Sequence, residues 1–186
     1  MIRAWHFVGD TLRDGRPIPA DGVLLKFDGT PIPCERGLHA SRHPFDALQY
    51  APGNTLCLVE CGGIIVPHGE PEDKIACTER RIIVRMDAEP LLRHFSRQQA
   101  LSVVDMLGDN PPDVVLDWLM TGDESIRESA RASAWASAWA SARASARASA
   151  WASAWASALD SAWASALDSA RADFAALVNE AFEDWL

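Results

Sequence analysis

The sequence predicts an α+β chain, with a small mixed-sheet N-terminal domain followed by helices and a long Ala/Ser/Trp tetrapeptide-repeat helical region. Three observations carry that reading. Residues 2–87 hold short runs that alternate apolar and polar side chains, punctuated by Gly, Pro and Asp. From Asp87 the apolar spacing changes from two to three and four. From Ser125 the chain contains neither Gly nor Pro, and Ser recurs at every fourth position up to Ser169. The expected divisions are 1–87, 88–122 and 123–186.

Residues 2–8, Ile-Arg-Ala-Trp-His-Phe-Val, alternate as a strand does. After a turn-rich stretch, residues 23–27 read as a second strand closed by Asp28-Gly29. Residues 37–41 read as a short third strand. Residues 44–51 read as a two-turn helix, with Pro44 in its first turn and Phe45, Leu48 and Ala51 on one face. Pro52-Gly53 ends it. Residues 55–66 are β-rich, and Gly62-Gly63 inside them predicts a bulge, or two strands with a bend. Residues 81–86 read as one more strand. Residues 90–107 have helical spacing, stopped by Gly108, and Pro111-Pro112 opens a helix with a Val115, Leu116, Leu119 stripe. Thr121 and Glu124 fit a capping box, with Thr121 as the cap. A 1–122 fragment is expected to fold alone, because its apolar pattern closes without the repeats.

Between the serines of the repeat stand large residues, among them Arg131, Trp135, Trp139, Arg143, Arg147, Trp151, Trp155 and Trp163, and Ala fills most of the remainder. Ala is the strongest helix former. A four-residue period also contains the two-residue period of a strand, but so long a strand of small residues would present a severe edge. Helix is the expectation. Four residues turn roughly 400°, so each large residue sits about 40° beyond the last. That drift predicts a right-handed superhelix, a break into shorter helices, or π-bulges. Ser is expected to face a close helix approach. Trp135, Trp139, Trp151, Trp155 and Trp163 are expected to form an interface with the chain's own α+β domain, a second copy of the chain or another protein, since so much exposed aromatic area seeks a partner.

The net charge of −9 argues against a duplex nucleic-acid partner. Nothing reaches about 18 consecutive apolar residues, so no membrane span is expected. The first residues lack a secretory pattern, which points to the cytoplasm and to reduced thiols at Cys34, Cys57, Cys61 and Cys77. Cys34, His39 and His43 could in principle meet at a metal. The zinc spacing is missing, however, and the cysteines are expected to be small buried residues with no metal.

Chemistry-bearing side chains gather in few places. There is no Gly-rich phosphate loop, no His-Glu-x-x-His and no nucleophile elbow. His6 follows Trp5, His39 stands in Gly37-Leu38-His39-Ala40-Ser41, and Tyr50 precedes Ala51. Neutral imidazoles there suit acid–base or hydroxyl-binding work near pH 7. They also have structural readings: His6 as a hydrogen-bonded sheet residue, His39 orienting a turn, Tyr50 in the core.

Trp5-His6-Phe7, Gly37 to Ser41, Tyr50 to Gly53, Asp73-Lys74, Arg80 and the Ala/Trp/Arg repeats together resemble a family of tailed-phage and bacterial proteins of unknown activity. The first reading is then a phage-type, non-enzymatic binding module in a bacterial host's cytoplasm, with no cofactor, whose helical repeats self-assemble or dock a partner; the family's unknown activity leaves open whether the chain is an enzyme. A shorter resemblance runs through the order strand-His, Gly-Leu-His-x-Ser, then Tyr-Ala. It is similar to ADP-ribosyltransferase-like folds, whose two-histidine variant includes RNA 2′-phosphotransferases. That alternative implies His6 and His39 as catalytic residues, Ser41 and Tyr50 as ligand-binding residues, and NAD as the bound cofactor. The acidic residue used by many such transferases has no clear counterpart; Glu60 and Glu79 are the candidates.

Overall fold

The structure is a computed structural model that describes residues 1–102, 111–145 and 156–186, with side chains over the same residues except 137–145 and 156–166. It divides into two compact units: Met1–Leu91 with Phe174–Leu186, and Leu92–Asp173. The elements are β1 (Ile2–Val8), β2 (Leu24–Lys26), β3 (Leu38–Ala40), α1 (Pro44–Leu48), β4 (Thr55–His68), β5 (Lys74–Asp87), α2 (Glu89–Ser102), α3 (Asp113–Thr121), α4 (Arg127–Ser145) and α5 (Ala156–Ala181). An antiparallel sheet followed by helices makes the chain α+β, as the alternation pattern predicts. No described helix is long and apolar enough to cross a membrane.

In the first unit the sheet runs β1-β4-β5-β2, and β3 also pairs with β5. Just past β3, Trp5 N donates to Ser41 O at 2.7 Å and Ser41 N donates to Trp5 O at 2.9 Å. The sheet therefore curls back onto its first strand. Alternation along β1 sends its side chains to two apolar layers. Ala4 and Val8 join Ala40, Cys57, Val59, Cys61, Ile75, Cys77 and Ile82 in one core. Trp5 points the other way and meets the edge of Phe182 with ring centroids 5.0 Å apart, while Phe45 meets Phe174 at 6.0 Å. Phe174, Val178 and Phe182 recur every four residues, share a face of the chain's last turns, and are buried. The expectation that residues 1–122 form a self-sufficient fold is thereby corrected: the C-terminal residues supply part of the first unit's core.

β5 is longer than the expected 81–86. Residues 74–80 escape the alternation rule because Lys74, Thr78, Glu79 and Arg80 interrupt it, but pairing with β3, β2 and β4 on both edges holds them in the sheet. β4 is one strand with a bulge between Gly62 and Ile65. Gly63 sits at φ +67, and a Cβ there would lie 2.0 Å from Thr78 Oγ1, which instead accepts the Ile64 N–H at 2.9 Å. Only glycine fits both demands. α1 ends at Leu48, earlier than expected, so Tyr50 lies beyond it.

In the second unit Val115 and Leu119 of α3 close on Ala130 of α4, with Leu101, Trp118 and Ala134 packed around them. The cap of α4 differs from the expected box. Thr121 still belongs to α3, where its hydroxyl donates to Asp117 O at 2.6 Å. Gly122, at φ +69, ends that helix. Asp123 is the cap residue: its Oδ1 accepts the Ser125 N–H at 2.8 Å at the start of the turn Glu124–Ile126 that leads into α4. Glu124 pairs with Arg93 at 3.1 Å and Arg127 at 3.4 Å instead of reaching back.

Both described stretches of the repeat are helical. In the first turns of α4 the closely packed small residues are Ala130 and Ala134, while Ser129 is exposed and Ser133 half-buried. The Ser-facing approach is corrected there: the Ala before each large residue, not the Ser, points at α3. Trp135 stands 63% exposed. The side chains of Trp139 and Trp163, and residues Trp151, Trp155, 103–107 and Gly108, lie outside the described residues, as does the region where the predicted superhelical drift would accumulate.

Candidate functional site

A cleft of about 930 Å³ opens in the first unit, walled by β1, the 11–16 loop, the 34–41 segment, Tyr50, Lys74 and Arg80. His6, His39, Ser41 and Tyr50 all line it. β1 carries His6; β3 carries His39 and leads to Ser41, which is buried where the backbone bridges to Trp5. Curling the sheet back onto β1 is what brings these distant sequence words together.

The cleft is basic although the chain is acidic. Arg13, Arg16, Lys26, Arg36, Lys74 and Arg80 line it against Asp14 and Glu35, and both of the chain's lysines are among them. Asp14 is already engaged by Arg16 at 2.7 Å. Arg80 is the most consequential of the cations. It is 5% exposed, its Nη1 donates to the backbone carbonyl of His39, and no carboxylate among the described residues pairs with it. Burial lowers its pKa, opposed by the neighbouring Cys61, Cys77 and Cys57 sulfurs. An arginine stays charged even so. A buried cation without a counter-ion is costly unless something anionic completes it.

The two histidines respond to that field. Burial, then the charge of Arg80, then His39 hold the His6 pKa well below its ordinary value. Burial, then Arg80, Lys74 and Arg13 lower that of His39, with the Ile32 carbonyl acting the other way. Both imidazoles are therefore neutral at pH 7. His39 Nε2 is buried with no hydrogen-bond partner, so a polar atom in the cleft awaits one.

Tyr50 is 46% exposed, which corrects its reading as a core residue. The short α1 ends before it, its hydroxyl donates to Asp73 Oδ2, and Lys74 Nζ lies 4.0 Å from its ring centroid. Glu60 and Glu79 do not supply an acid to the cleft: Glu60 pairs with Arg81 and Glu79 with Lys26, at 3.5 Å for the latter, and neither lines the wall. Cys34 is exposed, unlike the expectation of four buried cysteines, while Cys57, Cys61 and Cys77 are buried and all four are unpaired. Burial pushes the Cys57 thiol up to about 11. Among the described residues no group of three or more His, Cys, Asp or Glu side chains is placed to hold a metal ion.

Sequence reasoning missed Arg80 and Lys74 as site residues because it did not extend β5 to them. The one available signal was a charged residue in each of two short apolar runs, Lys74 before Ile75-Ala76-Cys77 and Arg80-Arg81 before Ile82-Ile83. In a two-sided strand one member of such a pair must point inward.

Residues 19–94 match a family described as a domain of unknown function, DUF7666. That segment holds β2 to β5 and most of the cleft wall, but not His6. No curated protein and no solved structure matches the chain.

Proposed function

We propose that the N-terminal unit is a binding module whose cleft takes a small phosphate-bearing anion of nucleotide size, and that the repeat region docks a second copy or a protein partner. The observation that carries the first half is Arg80: a buried guanidinium with no carboxylate, at a cleft lined by five further cations. A guanidinium presents paired donors that match phosphate, and low surrounding polarity strengthens the bond. The volume lies within the range of small-ligand sites. A cationic cleft on an acidic chain also focuses anions toward itself. For the repeats, the supporting observation is Trp135, a large aromatic left 63% exposed. The tailed-phage reading belongs with this proposal, as a cytoplasmic protein of the bacterial host that binds a ligand through its N-terminal unit and docks through its repeats.

A second reading, an ADP-ribosyltransferase-like NAD site, is favoured by one observation: His6, His39, Ser41 and Tyr50 share the cleft. Neutral imidazoles there suit ribose hydroxyls, and the basic wall suits a pyrophosphate. The acids on the wall are both engaged, Asp14 with Arg16 at 2.7 Å and Glu35 with Arg36 at 3.8 Å, so binding of an NAD-type ligand is the better-supported part of that reading. A thermal-shift screen of the full chain with phosphate, AMP, ADP-ribose and NAD tests both. Stabilisation by the phosphate-bearing ligands that disappears in Arg80→Met is expected. No response to any of them removes the anion-binding reading. A response to NAD that survives His39→Ala removes the histidine-centred one.

A further inference from the structure

A second cluster stands at the rim of the cleft, built from residues with no part in the reading above except Tyr50 and Lys74. Cys34 Sγ lies 3.6 Å from His68 Nε2. His68 Nδ1 lies 2.9 Å from Asp73 Oδ1, and Asp73 Oδ2 accepts the Tyr50 hydroxyl. Thiol, imidazole and carboxylate are thus joined in series through the two different ring nitrogens. That is the arrangement by which a base is oriented toward a nucleophile.

The chain holds this series in place from three elements. His68 ends β4, and Asp73 precedes Lys74, the first residue of β5. Cys34 sits in the tight loop closed by Ile32 N donating to Arg36 O at 2.8 Å, and Arg13 Nη1 donates to the Cys34 carbonyl at 3.2 Å. Among the described residues Cys34 is the one non-glycine with positive φ, at +68. A β-carbon there is strained by roughly 1 kcal/mol or more. Lys74 Nζ lies 4.0 Å from the Tyr50 ring centroid, and against burial the neighbouring Cys34 and Tyr50 side chains raise its pKa. Lys74 places a positive charge beside the sulfur.

We propose that Cys34, His68 and Asp73 form a thiol-based acyl-transfer site acting on carboxylic esters that enter from the cleft. His68 Nε2 takes the proton from Cys34 Sγ, and the sulfur attacks the ester carbonyl carbon. The S–C bond forms, and the oxyanion gathers beside the Lys74 ammonium. The ester C–O bond then breaks, with the His68 proton going to the departing oxygen. Water attacks the resulting thioester, giving its proton to His68. The C–S bond breaks, and the sulfur recovers the proton. The sum is hydrolysis of the ester. Asp73 is a positioning residue, fixing the His68 tautomer with Nε2 free toward sulfur, and Tyr50 positions Asp73. The proposal does not rest on anion binding at Arg80.

The test uses the full chain and p-nitrophenyl acetate, which carries no phosphate. The parent is expected to release a stoichiometric burst of p-nitrophenol and to carry an acetyl group that maps to Cys34, since the other three thiols are buried. Cys34→Ala is expected to abolish the adduct. His68→Asn is expected to slow the burst by about 10²–10⁴-fold, the span of general-base assistance. Asp73→Asn is expected to slow it with little change in KM. The rate of Cys34 alkylation by iodoacetamide at one fixed pH gives a readout that a structural role would not move. The parent should react faster than His68→Asn, because His68 Nε2 stands 3.6 Å from the sulfur to take its proton. Equal rates in parent and His68→Asn, or an adduct elsewhere than Cys34, would overturn the proposal.

Discussion

Replacing Phe182 with Ala removes a ring that is 1% exposed and lies 5.0 Å from Trp5 and 6.4 Å from Trp185, centroid to centroid. A buried Phe→Ala change costs about 3–5 kcal/mol, the lost transfer energy plus the cavity left behind. Aromatic pairing with Trp5 adds roughly 0.5–1.5 kcal/mol to what the ring contributes. The site can relax little, because Trp5 is fixed by its backbone bonds to Ser41. The loss should therefore fall on the sheet, although residue 182 lies far from it in sequence. Hydrogen exchange read at the amides of β1 and β4 isolates the first unit from the repeats, and the protection of those amides should fall by about 3 kcal/mol or more. Leu167→Ala, on a side chain 50% exposed in α5, is the control and should change it by less than about 0.5 kcal/mol. If Phe182→Ala leaves β1 protection within about 1 kcal/mol of the parent, the C-terminal residues are not part of this core. A 1–122 fragment that protects β1 as well as the full chain would refute the argument equally.

Gly63→Ala should cost about 2–3 kcal/mol in urea denaturation, from the left-handed backbone and the overlap with Thr78 together. Ala130→Leu should destabilise α3–α4 packing by about 1–3 kcal/mol, and Ser129→Leu by less than about 0.5 kcal/mol, measured as melting of the helical signal. For pH, the sign follows from His6 and His39, whose folded pKa values lie below the unfolded value of about 6.5. The unfolded chain binds the extra protons, so this stability is present above about pH 6.5 and is lost as pH falls through the folded values. Urea midpoints should decline below about pH 6.5, and His6→Asn with His39→Asn should flatten that decline; equal slopes would refute it.

Much of the fold was legible because it obeys simple periods. Ile2–Val8 alternates, residues 113–121 follow a proline pair with helical spacing, and the Gly62-Gly63 pair marks the bulge. Legibility ended where one residue serves two purposes. Lys74 and Arg80 interrupt the apolar pattern of β5 because they line the cleft, so a rule based on burial passes over them. Thr121 matches a cap pattern, but Gly122 terminates α3 after it and hands the cap to Asp123. The burial of Phe174, Val178 and Phe182 with the first sheet is a long-range pairing that local periodicity cannot assign to a partner. His6, His39 and Tyr50 stood out by residue type. Their shared cleft depends on the Trp5–Ser41 bridge, and the Cys34–His68–Asp73 series on a turn that residue spacing does not reveal.

The central claim is that the cleft holds a phosphate-bearing anion on Arg80. Calorimetric titration of ADP-ribose into the full chain and into Arg80→Met tests it most directly. A hydrogen bond to a charged group contributes about 1.5–3 kcal/mol, so the variant should bind about 10–150-fold more weakly. The free variant should keep a melting temperature close to the parent's, because removing a buried cation without a counter-ion offsets the bond lost to the His39 carbonyl. Equal affinity in parent and variant, or a variant that loses about 3–5 kcal/mol of stability while the parent binds nothing, would show Arg80 to be a structural residue and contradict the account.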